Sequence, residues 1–113
     1  MNQPQPNPGA PIRSEYATDP DMREIVEMFV QEMPQRVEQF YAVWESQNLE
    51  ELRRLAHQMK GASGGYGFGS VGKAAEKLEH SLVSMGHGGV ESSLEQLRKE
   101  FAELVNICKR VSV

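Results

Sequence analysis

Leu94, Leu97, Phe101, Leu104, Cys108 and Val111 recur at alternating steps of three and four. At about 100° per residue, that spacing gathers apolar side chains into one buried stripe of an α-helix. Stripes of the same period run through Val71, Ala74, Ala75, Leu78, Leu82 and Met85, and through Leu52, Leu55, Ala56, Met59, Ser63 and Tyr66. Val37, Phe40, Tyr41 and Trp44 form another, preceded by Met22, Ile25 and Phe29. No apolar–polar alternation is long enough for a half-buried strand. The expected fold class is therefore all-α: an antiparallel four-helix bundle with a short additional N-terminal helix acting as a lid.

Punctuation between the stripes places the boundaries. Asp19 followed by Pro20 reads as an N-cap and first helical residue. Pro34 should kink or restart the helix it interrupts, because its ring clashes with the preceding turn. Asn48 with Glu51 three residues later reads as a capping box, opening a helix that runs to Gly64 or Gly65. After the glycine-rich turn GGYGFG, Ser70 can cap the next helix. Gly86-His87-Gly88-Gly89 ends that helix, and the last covers about residues 91–111. Residues 1–18, with Pro4, Pro6, Pro8 and Pro11 and little to bury, read as a disordered proline-rich tail, leaving residues 19–113 as one domain.

At 113 residues the chain can bury a single modest core. A formal charge of −4 argues against general nucleic-acid binding. One cysteine excludes an intrachain disulfide and fits a reducing interior. With no apolar run long enough for a membrane span and no signal pattern, the expected location is cytoplasmic, and the default state is a monomer.

The stretch from Asn48 to Gly67 departs from plain bundle sequence. His57 falls roughly 145° from the middle of its helix's apolar stripe and so faces solvent. Arg53 and Lys60 flank it on one side and Arg54 on the other. Gly61 and Gly64 follow on the same outward face. Each glycine costs a helix interior about 1 kcal/mol relative to alanine, which is justified where another backbone or a ligand must come close. The spacing suggests a surface flattened beside His57 for something large. Ser63 is expected to pack or bond inward.

His57-x-x-Lys60-Gly61-Ala62-Ser63, with Gly67 ten residues after the histidine and Leu78-Glu79 in the next helix, resembles the signature of histidine-containing phosphotransfer (HPt) domains. Met59 stands where leucine is commoner in that family. The resemblance spans about residues 20–112. It implies a helical bundle that carries a phosphoryl group on one exposed histidine between receiver-domain aspartates of a two-component phosphorelay. On that reading His57 is the phosphoacceptor, and its imidazole type, with an ordinary pKa near 6.5, supplies a neutral nitrogen nucleophile near pH 7. Lys60, one turn on, stabilises the phosphoryl charge, while Arg53, Arg54, Gln58, Gly61, Gly64 and Gly67 meet the partner. The partners are response-regulator receiver domains and a hybrid histidine kinase. The chain is a phosphocarrier rather than an enzyme, without a cofactor or metal of its own. With no cluster of carboxylates expected near His57, Mg²⁺ would come with the receiver domain. The competing reading is an interaction module docking a partner through the Arg53, His57, Lys60 face without chemistry.

Two glycine patterns point elsewhere. Residues 67–72 satisfy G-x-G-x-x-G and residues 67–73 the start of a phosphate-binding loop, but both require a preceding strand, and this segment follows a helix. His80 lies opposite its helix's apolar stripe and His87 in a glycine turn, so neither offers metal-ligand spacing.

Overall fold

The computed structural model describes residues 10–86 and 91–112. Four helices, α1 (Arg23–Glu45), α2 (Leu49–Gly65), α3 (Gly69–Gly86) and α4 (Glu91–Lys109), are joined by a two-stranded parallel clip of β1 (Ile12–Arg13) and β2 (Val111–Ser112). Their contacts close a ring in the order α1, α2, α3, α4 and back to α1. Most of the expected apolar stripes line its inside, with Leu52, Ala56, Val71, Ala75, Leu78 and Leu104 fully buried, but Ile25, Tyr41 and Leu94 are exposed and Val26 takes the buried place in α1 expected of Ile25. The glycine turn holding His87, and residues 1–9 of the expected tail, lie outside the described residues.

The α2–α3 pair is the most intimate and α1 packs more thinly on both neighbours. Small buried residues explain the difference. Ala56 and Ser63 of α2 and Ala74 and Ala75 of α3 are buried, and a Cβ on Gly72 would already touch the Lys60 carbonyl at 3.7 Å and Ser63 at 3.8 Å. Close axes follow from side chains this short. Aromatic rings anchor α1 instead. Phe29 stacks on Tyr66 at 4.7 Å and on Phe68 at 5.5 Å, and Trp44 stacks on Phe101 at 4.3 Å. Each pair contributes roughly 0.5–1.5 kcal/mol beyond its buried area.

The N-terminal third settles one open point and departs from the sequence expectation in two. First, of the kink or restart expected at Pro34, the restart does not occur, because α1 continues through it to Glu45 as one helix. Val26, Phe29, Met33, Val37 and Phe40, buried on both sides of the proline, hold the register that its missing N–H would otherwise weaken. Second, no separate short helix precedes α1 among the described residues. Asp19 accepts from the Asp21 N–H at 2.9 Å and ends in a turn rather than a helix, and Met22, without a side-chain cap, opens α1. Third, residues 10–18 are not a free tail. Ile12 donates to the Arg110 carbonyl at 2.7 Å, and the Ser14 hydroxyl donates to the Tyr66 carbonyl at 2.6 Å. Ser14 is buried. Backbone hydrogen bonds to partners far along the chain order a segment whose composition gives no sign of it.

Boundaries elsewhere shift by small amounts. The Phe68 carbonyl accepts the first bond of α3, from Gly72 at 3.1 Å, so Ser70 lies inside the first turn rather than capping it. Val111 leaves α4 to pair with Ile12. Cys108 is buried in the core as its stripe requires, and burial pushes its thiol up to about 12. A thiol held there is a packing group rather than a nucleophile.

Candidate functional site

The helix carrying His57 is fixed at both ends. At its start the Asn48 side chain accepts from the Glu51 N–H at 3.1 Å, satisfying one of the orphan donors of a first turn. Only half of the expected capping box forms, since the Glu51 carboxylate turns to Arg54 instead of reaching back. At its end the Phe68 N–H bonds the Ser63 carbonyl at 2.9 Å and the Gly67 N–H bonds the Gly64 carbonyl at 3.3 Å around Gly67, whose φ is +81°. That is a Schellman closure, which needs a left-handed residue. Leu52, Leu55, Ala56, Met59 and Ser63 then face the core, and the Ser63 hydroxyl bonds inward to the Met59 carbonyl at 2.6 Å. His57, opposite that stripe, keeps 62 % of its side chain exposed.

The ring is held from across the α2–α3 seam. His57 Nδ1 lies 2.8 Å from Glu79 Oε2, and Lys60 Nζ lies 3.1 Å from Glu79 Oε1. One carboxylate of α3 thus bridges two residues of α2 that stand one turn apart. Burial works to raise the Glu79 carboxyl, but hydrogen bonds from Lys60 and His57 and the charges of both outweigh it, holding it below the usual carboxylate range. An ionised carboxylate can only accept, so the bridging proton sits on His57 Nδ1. In the neutral ring Nε2 then carries a lone pair, and it has no hydrogen-bond partner among the described residues. The arrangement offers an oriented nitrogen nucleophile facing solvent, with a carboxylate behind it and a cation beside it.

Glu79 had no part in the site on sequence grounds beyond its place in the family pattern. Its side chain is only 15 % exposed, and a glutamate on the seam face of α3 beside Leu78 was the available signal. A carboxylate does therefore stand at His57, but it is a single group already engaged by two donors. Among the described residues no group of three or more His, Cys, Asp or Glu gathers as a metal site.

The remaining candidates separate into three sets. Arg53 and Arg54 flank His57 as expected but are not free cations. Arg53 bonds Glu50 at 2.6 Å, and the Arg54 guanidinium grips Glu51 with Nε at 3.0 Å. The hydrogen bond from each arginine is the main reason both carboxyls are held low. With Lys60 on Glu79, each of the three expected flanking cations has an acid partner. Gln58, Gly61 and Gly64 are exposed, and a Cβ added at Gly61 or Gly64 would meet nothing within 4 Å. No packing among the described residues requires those glycines. Gly67 is the correction: it is buried, and a Cβ there would sit 2.5 Å from Ser14 Oγ and 3.0 Å from the Glu15 nitrogen. The turn and the N-terminal segment lying on it account for its glycine within the chain.

His80 is exposed on α3, and no helix among the described residues is long and apolar enough to cross a membrane. The apparent phosphate-binding loop at residues 67–73 runs from the α2 turn into α3, with a helix rather than a strand directly before it. Neither the curated proteins nor the solved structures compared with this chain include a match. A family model described as the Hpt domain matches residues 24–110, all four helices and the whole His57, Lys60, Glu79 cluster. The chain belongs to the Hpt domain family.

Proposed function

We propose that this chain relays a phosphoryl group between receiver-domain aspartates through a phosphohistidine at His57 Nε2, on an antiparallel four-helix bundle. The observation that carries the reading is the 2.8 Å contact of His57 Nδ1 with Glu79. With the proton parked on Nδ1, the Nε2 lone pair attacks phosphorus of an aspartyl phosphate without first losing a proton. The P–N bond forms as the P–O bond to the aspartate breaks, and that electron pair leaves with the carboxylate. The ring becomes cationic, and the Glu79 carboxylate faces the new charge. Delivery to the next receiver is the same exchange in reverse. Phosphoryl transfer asks little more of a protein than placement and charge neutralisation. Lys60 can turn one of its three donors to the phosphoryl oxygens while keeping Glu79.

The partners on this reading are a hybrid kinase and response-regulator receiver domains, and Mg²⁺ belongs to the receiver's aspartate pocket. The chain itself works as a cytoplasmic monomer and carrier, without kinase or nucleotide chemistry. Incubation with receiver domains charged by acetyl phosphate and Mg²⁺ tests it. Acid-labile, base-stable label should appear on the chain and be chased onto an uncharged receiver. Absence of label with every receiver of the source organism overturns the relay.

Glu79→Ala is expected to slow phosphorylation about 10- to 100-fold, as loss of a ring-orienting partner does elsewhere. Nitrogen NMR of the His57 ring should show the Nδ1–H tautomer in the wild type and its loss in the variant. Unchanged tautomer and rate together remove Glu79 from the mechanism. Because the Glu79 carboxyl is lowered from 4.5 in the folded chain, its contribution to stability is full above that value and is lost as pH falls through the folded-state pKa. Lys60→Ala should keep the fold and slow transfer, or shorten the phosphohistidine lifetime, by on the order of tenfold, the worth of one charge-assisted hydrogen bond at a half-exposed site.

Gly64 separates access from folding. Gly64→Leu meets open space and should raise helix stability by up to about 1 kcal/mol while obstructing a receiver from reaching His57. A thermal melt and a transfer assay on one sample decide it, and undiminished transfer refutes the access argument.

A further inference from the structure

Arg53 and Arg54 are neighbours in sequence, and the structure separates them. Arg53 lies on the α3 side of α2, where with Leu49 and Glu50 it borders a hollow completed by Leu82 and Met85 of α3. Its side chain therefore lies along the seam in which Glu79 holds His57 and Lys60. The hydrogen bond and charge of Glu50 raise the Arg53 pKa against desolvation, and the charge of Glu79 adds to them. For Arg54 the hydrogen bond and charge of Glu51 act against desolvation with no contribution from Glu79. Electrostatically, one arginine belongs to the His57 cluster and the other does not. The acids they hold differ as well. Glu50 leaves 78 % of its side chain in water, whereas Glu51 leaves 35 %. An ion pair as exposed as Arg53–Glu50 contributes little and is readily exchanged for a better partner.

Arg53 stands one turn before His57, a spacing that brings Cβ atoms within about 5–6 Å on one face. Helical side chains lean toward the N-terminus, so the imidazole extends over the turn that carries Arg53. With Nδ1 turned to Glu79 at 2.8 Å, Nε2 is the atom left to bear a phosphoryl group. Such a group brings close to two negative charges and three acceptor oxygens, more than one exposed carboxylate offers a cation. Lys60 meets it as a point charge from the following turn. A guanidinium is planar and donates two parallel bonds, which matches two phosphoryl oxygens at once. We propose, resting on the reading of His57 as phosphoacceptor, that Arg53 is a second ligand of the phosphoryl group. It leaves Glu50 when the phosphohistidine forms and closes on two oxygens from the side opposite Lys60. Glu50 holds this cation in reserve until the charge it neutralises arrives.

Phosphoramidate, which gives its phosphoryl group to an imidazole nitrogen as ammonia leaves, charges the full chain without a receiver, so docking plays no part in the test. Phosphorus NMR then follows the titration of the phosphoryl group. A cation at bonding distance favours the dianion. Wild type and Arg54→Gln should titrate together, and Arg53→Gln at a pH about 0.5 to 1 higher, with the contact discounted for its exposure. Glu50→Gln should titrate like the wild type, because Arg53 has already left Glu50 in the charged chain. Nitrogen NMR should show the Arg53 Nε–H signal moving on phosphorylation and the Arg54 signal unmoved. Equal titration of wild type and Arg53→Gln overturns the proposal while leaving His57 as the carrier. Slower transfer from receivers in Arg53→Gln, with that equal titration, overturns it in favour of a docking role. No label on wild-type His57 from phosphoramidate or from any receiver overturns the carrier reading and this ligand with it.

Discussion

His57→Gln should accept no phosphoryl group from any receiver while melting at nearly the wild-type temperature. Glutamine keeps a polar side chain of similar reach on a position that is 62 % exposed, so nothing in the core notices the change, and exposed substitutions of this kind typically fall within about 0.5 kcal/mol. Its amide nitrogen has no nucleophilic lone pair, so the loss is of the bond-forming atom itself and not of a fraction of the rate. His80→Gln is the matched control. That histidine is also exposed, but no carboxylate bonds its ring among the described residues, and its removal should leave transfer intact. Label retained by His57→Gln, or lost in His80→Gln, would move the chemistry off α2 altogether.

Gly67→Val is expected to be the most destabilising single change in the turn that ends α2. The residue's φ of +81° costs an L-residue roughly 1–2 kcal/mol. Its new Cβ would lie 2.5 Å from Ser14 Oγ and 2.9 Å from the Tyr16 ring. Relief requires lifting residues 14–16 off the turn, which forfeits the Ser14–Tyr66 and Glu15–Gly67 hydrogen bonds at about 1 kcal/mol each. The sum is about 3–4 kcal/mol, a fall in Tm of more than about 10 °C for a domain of this size. Ser14→Ala, which removes only the hydroxyl, should cost about 1 kcal/mol. Comparable melting of Gly67→Val and Ser14→Ala would mean that the N-terminal segment does not rest on this turn. The contrast with Gly64, where added bulk should stabilise, distinguishes a glycine kept for conformation from one kept for access.

These two glycines sit three residues apart, and the sequence treated them alike. Their period and their nearness to His57 were visible, but what a Cβ would strike depends on residues 14–16, some fifty positions away along the chain. The same holds for charge. Arg53, Arg54 and Lys60 around His57 read as a positive rim because helical spacing lists neighbours on one face. Pairing with Glu50 and Glu51 one turn back was available to the same arithmetic, whereas the pairing of Lys60 with Glu79 needed the α2–α3 seam.

Local periodicity decided the helices of this protein, the faces they bury and the outward aspect of His57, because a repeat of 3.6 residues fixes direction around an axis whatever the axis packs against. Tertiary structure decided what stands behind the imidazole and why residues 10–18 are held. Those outcomes rest on contacts between residues 22 to 100 positions apart, and no pattern within one helix records which partner another helix will present.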